Sequence, residues 1–214
     1  MAKGWTRLEL AELLEKLLRH EMTNEWEEIL PRNLQNIHRK AESEEVGLTM
    51  SNIVWFGNQL ESAGYTEPAL KNWVKREIKE YIGTPQVGKK YSIQQAAILF
   101  IVKDMKVLLD FDAIRRVLKS IFNNPVDRTD DIIHPLSFYK AYACLYENLI
   151  AQTEMLSEAH IKEEVHAYLM SESSFSLAEK QKILRSLVVA VLSVRTTYLK
   201  TLAKRYVYEE NGKD

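Results

Sequence analysis

A single cysteine, five prolines and seven glycines in 214 residues remove several kinds of protein from consideration before any motif is read. Cys144 has no second cysteine to pair with, so an intramolecular disulfide framework is excluded and a zinc-thiolate centre is not expected. A reducing, cytoplasmic setting is expected. Few helix breakers, 46% hydrophobic and 28% charged residues are the composition of a helix-rich globular chain rather than a disordered one. No long hydrophobic run is present. The most apolar stretch, Leu187 to Val194, lies between Arg185 and Arg195 and is far shorter than the roughly 20 residues that span a bilayer. Lys3, Arg7 and Glu9 interrupt the opening residues where a leader would be apolar. No membrane partner is expected.

Catalytic constellations are equally scarce. Gly-rich phosphate loops, H-E-x-x-H and paired E-x-x-H elements are missing. Glu163 and His166 form one E-x-x-H pair, whereas di-metal bundles use two. His160 and Glu164 share a helix face as a surface pair, and His38 has no second ligand near it in sequence. The expectation is a non-catalytic protein with no metal and no cofactor.

What the chain has is helices with start signals. Thr6 and Glu9, Ser92 and Gln95, and Ser176 and Glu179 follow the S/T-x-x-E/Q pattern of a capping box. Thr49, Asp110 and Ser157 also stand at helix starts, and Pro135 opens a helix at its first position. Ala96 to Val102 is apolar nearly all round, which places its helix at the buried centre. The last helix is expected from Leu177 to about Tyr208, with an apolar face wide enough for a bundle or a dimer interface. Weaker helical signals lie between Asn24 and Leu30 and between Arg32 and Glu45. The fold class is all-α. Three segments are expected: 1–47 as N-terminal helices, 48–125 as a central domain stopped by Asn123, Asn124 and Pro125, and 126–214 as a C-terminal helical domain.

Charge is uneven across these segments. The formal total is -1, yet 48–125 carries 11 basic and 7 acidic side chains while both flanks are acidic. The basic excess centres on Tyr65 to Tyr91. Thr66 stands as N-cap with Pro68 in the first turn. At about 100° per residue, Leu70, Trp73, Val74, Ile78 and Tyr81 then fall on one side and Lys71, Asn72, Lys75, Arg76 and Lys79 on the other. A helix carrying Ile53, Val54, Phe56 and Leu60 precedes it across the turn Ser62-Ala63-Gly64. Gly83, Pro85 and Gly88 break the chain before Lys89, Lys90 and Tyr91, in the manner of a small wing.

This order of helix, Gly turn, basic helix, wing, K-Y-S and a second helical pair resembles the MerR-type winged helix. More closely, it is similar to a bacterial family catalogued as a domain of unknown function, number 1836. The resemblance is carried by L-K-N-W-V-K at Leu70 to Lys75, K-K-Y-S at Lys89 to Ser92, the apolar helix after Ser92, and F-D-A-I-R-R-V-L at Phe111 to Leu118. Where MerR-like helices usually carry an Arg and two Tyr, this chain has Lys71, Asn72 and Trp73. The resemblance implies a winged helix-turn-helix with a minimal β wing, and double-stranded DNA as partner. Lys71 and Asn72 would reach base edges, and Lys75, Arg76, Lys79, Lys89 and Lys90 would neutralise phosphates beside Tyr91. A bacterial transcriptional regulator is the expected function. A non-catalytic adaptor that docks its winged helix on another protein is the alternative. The C-terminal helices would supply a homodimer or enclose a small-molecule effector among Tyr139, Tyr142 and Tyr146.

Overall fold

The computed structural model describes residues 4–21, 29–35, 45–60, 64–124, 127–152 and 157–209. Ser62 and Ala63 of the expected turn, His38, Pro125 and most of the two weak helices between Asn24 and Glu45 lie outside the described residues. Among the described residues the elements are α1 (Arg7–Leu18), β1 (Gly47–Leu48), α2 (Met50–Gln59), α3 (Glu67–Asn72) continuing into a π turn (Trp73–Glu77), α4 (Lys79–Ile82), β2 (Tyr91–Ser92), α5 (Ile93–Met105), α6 (Phe111–Ile121), a 3-10 turn (Arg128–Asp130), α7 (Pro135–Gln152), α8 (Glu158–Ser171) and α9 (Leu177–Glu209). The fold is all-helical, with one two-stranded antiparallel sheet pairing Gly47 with Ser92 and Leu48 with Tyr91. It ends in a helical bundle whose last member, α9, has 33 residues and is about 50 Å long.

Capping explains most helix starts. Thr6 with Glu9, Thr49 with Asn52, and Ser92 with Gln95 each make both reciprocal bonds of a capping box. Asp110 and Ser157 accept from the backbone three residues on. Thr66 is different. It occupies the N-cap position with extended dihedrals but makes no side-chain cap bond, so the start of α3 rests on Pro68 and on packing.

One core runs through all three segments. Helix α5 is its axis, with every residue from Ala96 to Val102 fully buried, and it packs on α7 and α9. α1 lies on the other side of α7, placing Leu10, Leu13, Leu14 and Leu17 in the same core as Ile98 and Val191. An ion pair sits inside it. The Arg7 guanidinium donates Nε and Nη2 to Asp104 Oδ2 and Oδ1 at 2.9 and 2.8 Å, and the Tyr142 hydroxyl donates to Oδ2 at 2.9 Å. Burial alone would lower the Arg7 pKa; the Asp104 carboxylate outweighs it and the net direction is upward. This clamp joins α1, α5 and α7, because breaking it would strand a charge in the interior.

Candidate nucleic-acid interface

The stretch expected to be one regular helix after Thr66 is interrupted. Eight residues at about 100° each would leave Ile78 about 80° round from Leu70. A π turn takes up one residue: Ile78 N-H donates to Trp73 O, five residues back, at 2.9 Å. Both side chains then face the core, Leu70 and Ile78 being almost wholly buried. Burial of both residues in one core selects the extra-wide turn, and the sequence-based expectation of uninterrupted α-helix is corrected. The opposite face is open. Lys71, Asn72, Lys75, Arg76 and Lys79 are all exposed. Trp73, half-buried, braces the ridge from behind by an edge-to-face contact with Phe111 at 5.8 Å.

Several side chains fix the ridge at both ends. Before it, Asn58 of α2 accepts from Tyr65 N-H at 2.9 Å and donates to Tyr65 O at 3.1 Å, while Lys103 donates to Gly64 O at 2.8 Å. Gly64 has φ +129°, a conformation that glycine adopts at little cost. Gly57 of α2 gives Tyr65 room, since a Cβ there would meet the ring at 2.5 Å. After the ridge, Gly83 ends α4 with φ +69°. Gln95 then ties down the following loop: its Nε2 donates to Ile82 O and Thr84 O, both at 2.7 Å, and its Oε1 accepts from Ser92 and Gln86 N-H. Arg115 donates to Glu77 O at 2.8 Å.

The expected wing is a tight turn. Val87 and Lys90 exchange backbone hydrogen bonds at 3.0 Å around Gly88, φ +61°. Lys89 is exposed at the tip, while Lys90 and Tyr91 are half-exposed. A Cβ on Gly47 would stand 2.8 Å from Lys90 Cβ and 2.9 Å from Val87 Cβ, so β1 seats the wing by close backbone approach. Ridge and wing adjoin. The Tyr91 phenol is pushed up by burial and drawn partly back by the Lys71 charge.

Of the expected site residues, Lys71 is engaged: its Nζ lies 2.6 Å from Glu67 Oε2. Lys75, Arg76, Lys79, Lys89 and Lys90 make no ion pair among the described residues. Two cations had no role in the sequence reading. Arg116 and Lys119 are exposed on α6 and share a groove with Glu80 and Tyr81 at the end of the ridge. The polar side of the helix whose apolar side is Ile114, Leu118 and Ile121 was the available signal.

The residues expected to line an effector pocket separate. Tyr139 and Tyr142 are fully buried core residues; only Tyr146 reaches a cleft, formed with Trp5 and Tyr198. Spacings of three and four along α7 carry two tyrosines into the core and the third to the cleft, which sequence period alone does not distinguish.

Residues 33–142 match the family described as Domain of unknown function (DUF1836). The chain belongs to this family. It is also 37% identical over 181 residues to a Bacillus subtilis (strain 168) protein named "Uncharacterized protein YkrK", covering 82% of this chain and 78% of that one. No solved structure matches it. The DUF1836 segment takes in α2, the ridge, the wing, α5 and α6, and it closes at Tyr142, the tyrosine that holds Asp104. It stops short of α8 and α9. Among the described residues, no helix is long and apolar enough to cross a membrane, and no group of three or more His, Cys, Asp or Glu side chains is placed to hold a metal ion.

Proposed function

We propose that this DUF1836 protein is a sequence-specific, non-catalytic DNA-binding regulator in which α2 and α3 form a MerR-like helix-turn-helix and residues 83–92 its wing. One observation carries the reading. Asn72, Lys75, Arg76 and Lys79 stand exposed on a ridge buttressed from behind, beside a turn that holds Lys89 at its tip. From Lys71 to Lys79 the α and π turns together span on the order of 12 Å, close to the width of the major groove. Asn72 suits adenine and Lys71 a guanine acceptor, while the remaining cations suit phosphates. A π turn at the centre of the ridge fits a functional surface, where such turns are frequent.

Reading paired half-sites calls for a dimer, and the proposed seam is α9. Leu177 and Leu192 there are 77% and 37% exposed. A solution mass of twice 24.9 kDa at micromolar concentration supports this, and the monomer mass refutes it.

Salt titration of duplex binding tests the main reading. Five phosphate-directed cations give a slope of log K against log salt of about -4.5 per protomer, a loss of several hundredfold between 50 and 200 mM. Changing Lys71, Lys75 and Arg76 together to Ala removes binding while helicity stays. Retained binding places the contact elsewhere. No binding at low salt favours the adaptor reading, for which the acids Glu67, Glu77 and Glu80 on and beside the ridge are the specific support.

A further inference from the structure

We infer that the cleft between Trp5–Arg7, α7 and α9 is a binding site for a small aromatic amine, and that its occupancy acts on α2 through Trp5. The cleft has a volume of about 620 Å³, within the range of pockets that enclose small ligands. Three rings face it, Trp5, Tyr146 and Tyr198, with Ile150 completing an apolar wall. Flat aromatic surface in such a setting receives another ring or a cation.

The charge of the ligand follows from the polar groups. Glu147 lines the same cleft, and its Oε1 is buried with no hydrogen-bond donor among the described residues. A buried carboxylate oxygen without a donor is costly, and an ammonium brought by a ligand removes that cost once the Glu147 carboxyl turns Oε1 toward the cleft. Both guanidiniums at the cleft are already engaged. Arg7 is held twice by Asp104, and Arg195 bonds Tyr146 while lying 5.2 Å from the centre of the Tyr198 ring. An anion would have to displace one of these and sit beside Glu147. An amine needs neither.

Trp5 connects the cleft to α2. Its backbone donates N-H to Gln59 O at 2.8 Å and bridges Leu60, and its ring meets Trp55 edge to face at 5.7 Å. A ligand that moves the Trp5 ring therefore works on the end of α2, the helix that precedes α3. This coupling rests on reading α2 and α3 as a DNA-reading pair; the ligand site does not.

Calorimetry on the full chain with tryptamine, indole-3-propionate and indole tests the site, and amide exchange at Gln59 and Leu60 tests the link. Tryptamine is expected to bind about tenfold tighter than indole-3-propionate, with Glu147→Gln erasing that preference. Ile150→Trp, at a side chain 44% exposed, fills the cleft and weakens all three even if Glu147→Gln misfolds. The site is overturned if none of the three binds, if the carboxylate binds as well as the amine, or if Glu147→Gln keeps the preference. Amine binding that leaves exchange at Gln59 and Leu60 unaltered overturns the coupling alone. Because neither readout uses DNA, failure of the DNA reading is seen separately.

Discussion

Two tyrosines one helical turn apart on α7 should respond oppositely to losing one oxygen. Tyr142 donates to the buried Asp104 carboxylate at 2.9 Å, and a hydrogen bond to a charged group contributes roughly 1.5–3 kcal/mol. The Tyr139 hydroxyl is equally buried but has no partner among the described residues. Its removal relieves an unmet group and is neutral or stabilising by up to about 1 kcal/mol. Both rings keep their packing in the phenylalanine variants, including their mutual edge-to-face contact at 5.3 Å. Tyr142→Phe and Tyr139→Phe should therefore differ by about 2–4 kcal/mol, a separation of roughly 5–15 °C in Tm for a chain of this size. Urea unfolding followed by circular dichroism reads the difference as a shift of midpoint at constant slope. Equal destabilisation by both variants would refute the argument, since it would mean that the Tyr139 hydroxyl is satisfied and the Asp104 clamp is not special.

Further outcomes are expected. Burial, reinforced by Asp104, pushes the Tyr65, Tyr139 and Tyr142 phenols well above their usual value, so above pH 10 the unfolded chain loses three protons that the folded chain keeps. Stability, complete below that pH, should fall by about 4 kcal/mol per pH unit as it rises further; a flat urea midpoint between pH 9.5 and 11 would contradict this. Gly47→Ala drives a Cβ into Lys90 and Val87 and should cost about 1–3 kcal/mol and weaken duplex binding, whereas unchanged binding would show that the wing makes no contact. Glu67→Gln releases Lys71 for a guanine acceptor and should tighten duplex binding with little change in its salt slope, whereas unaltered affinity would place Lys71 away from the base edges.

Much of the fold is legible because it is written locally. Capping boxes at Thr6 and Ser92, the all-apolar run Ala96 to Val102, and the long seam of α9 each depend on residues a few positions apart, and each is found where expected. The interruption at Trp73–Glu77 was hidden because Leu70, Trp73, Val74, Ile78 and Tyr81 also satisfy an ordinary wide apolar face. Only the requirement that Leu70 and Ile78 both enter one core selects the π turn. The same limit applies to polar groups. Gln95 reads as a cap, yet its second task, holding Ile82 O and Thr84 O, depends on where a loop 11 to 13 residues upstream is folded. Asp104 and Arg7 are 97 residues apart, and no spacing rule joins them. Tyr139, Tyr142 and Tyr146 share a stripe in sequence but not a surface: the first two are core and Tyr146 alone of the three lines the cleft.

The acids on and beside the ridge look at first like an argument against a polyanion partner, but their positions reduce that effect. Glu67 is held by Lys71 at 2.6 Å, and Glu77 faces Arg115 at 3.7 Å, where that arginine also holds the Glu77 carbonyl. Glu80 is turned toward the Tyr81 phenol, which it helps to raise after burial has done most of it. Glu67 and Glu77 thus have cationic neighbours, whereas that of Glu80 is an uncharged phenol; Lys75, Arg76, Lys79 and Lys89 have no ion pair among the described residues. Coulomb repulsion from a partly neutralised pair is weak and further screened beyond about 8–10 Å at ordinary salt, whereas exposed cations act on phosphate at contact distance. A net charge of -1 for the whole chain is therefore compatible with a locally cationic ridge, and the acidic flanks would disfavour phosphate contacts away from it.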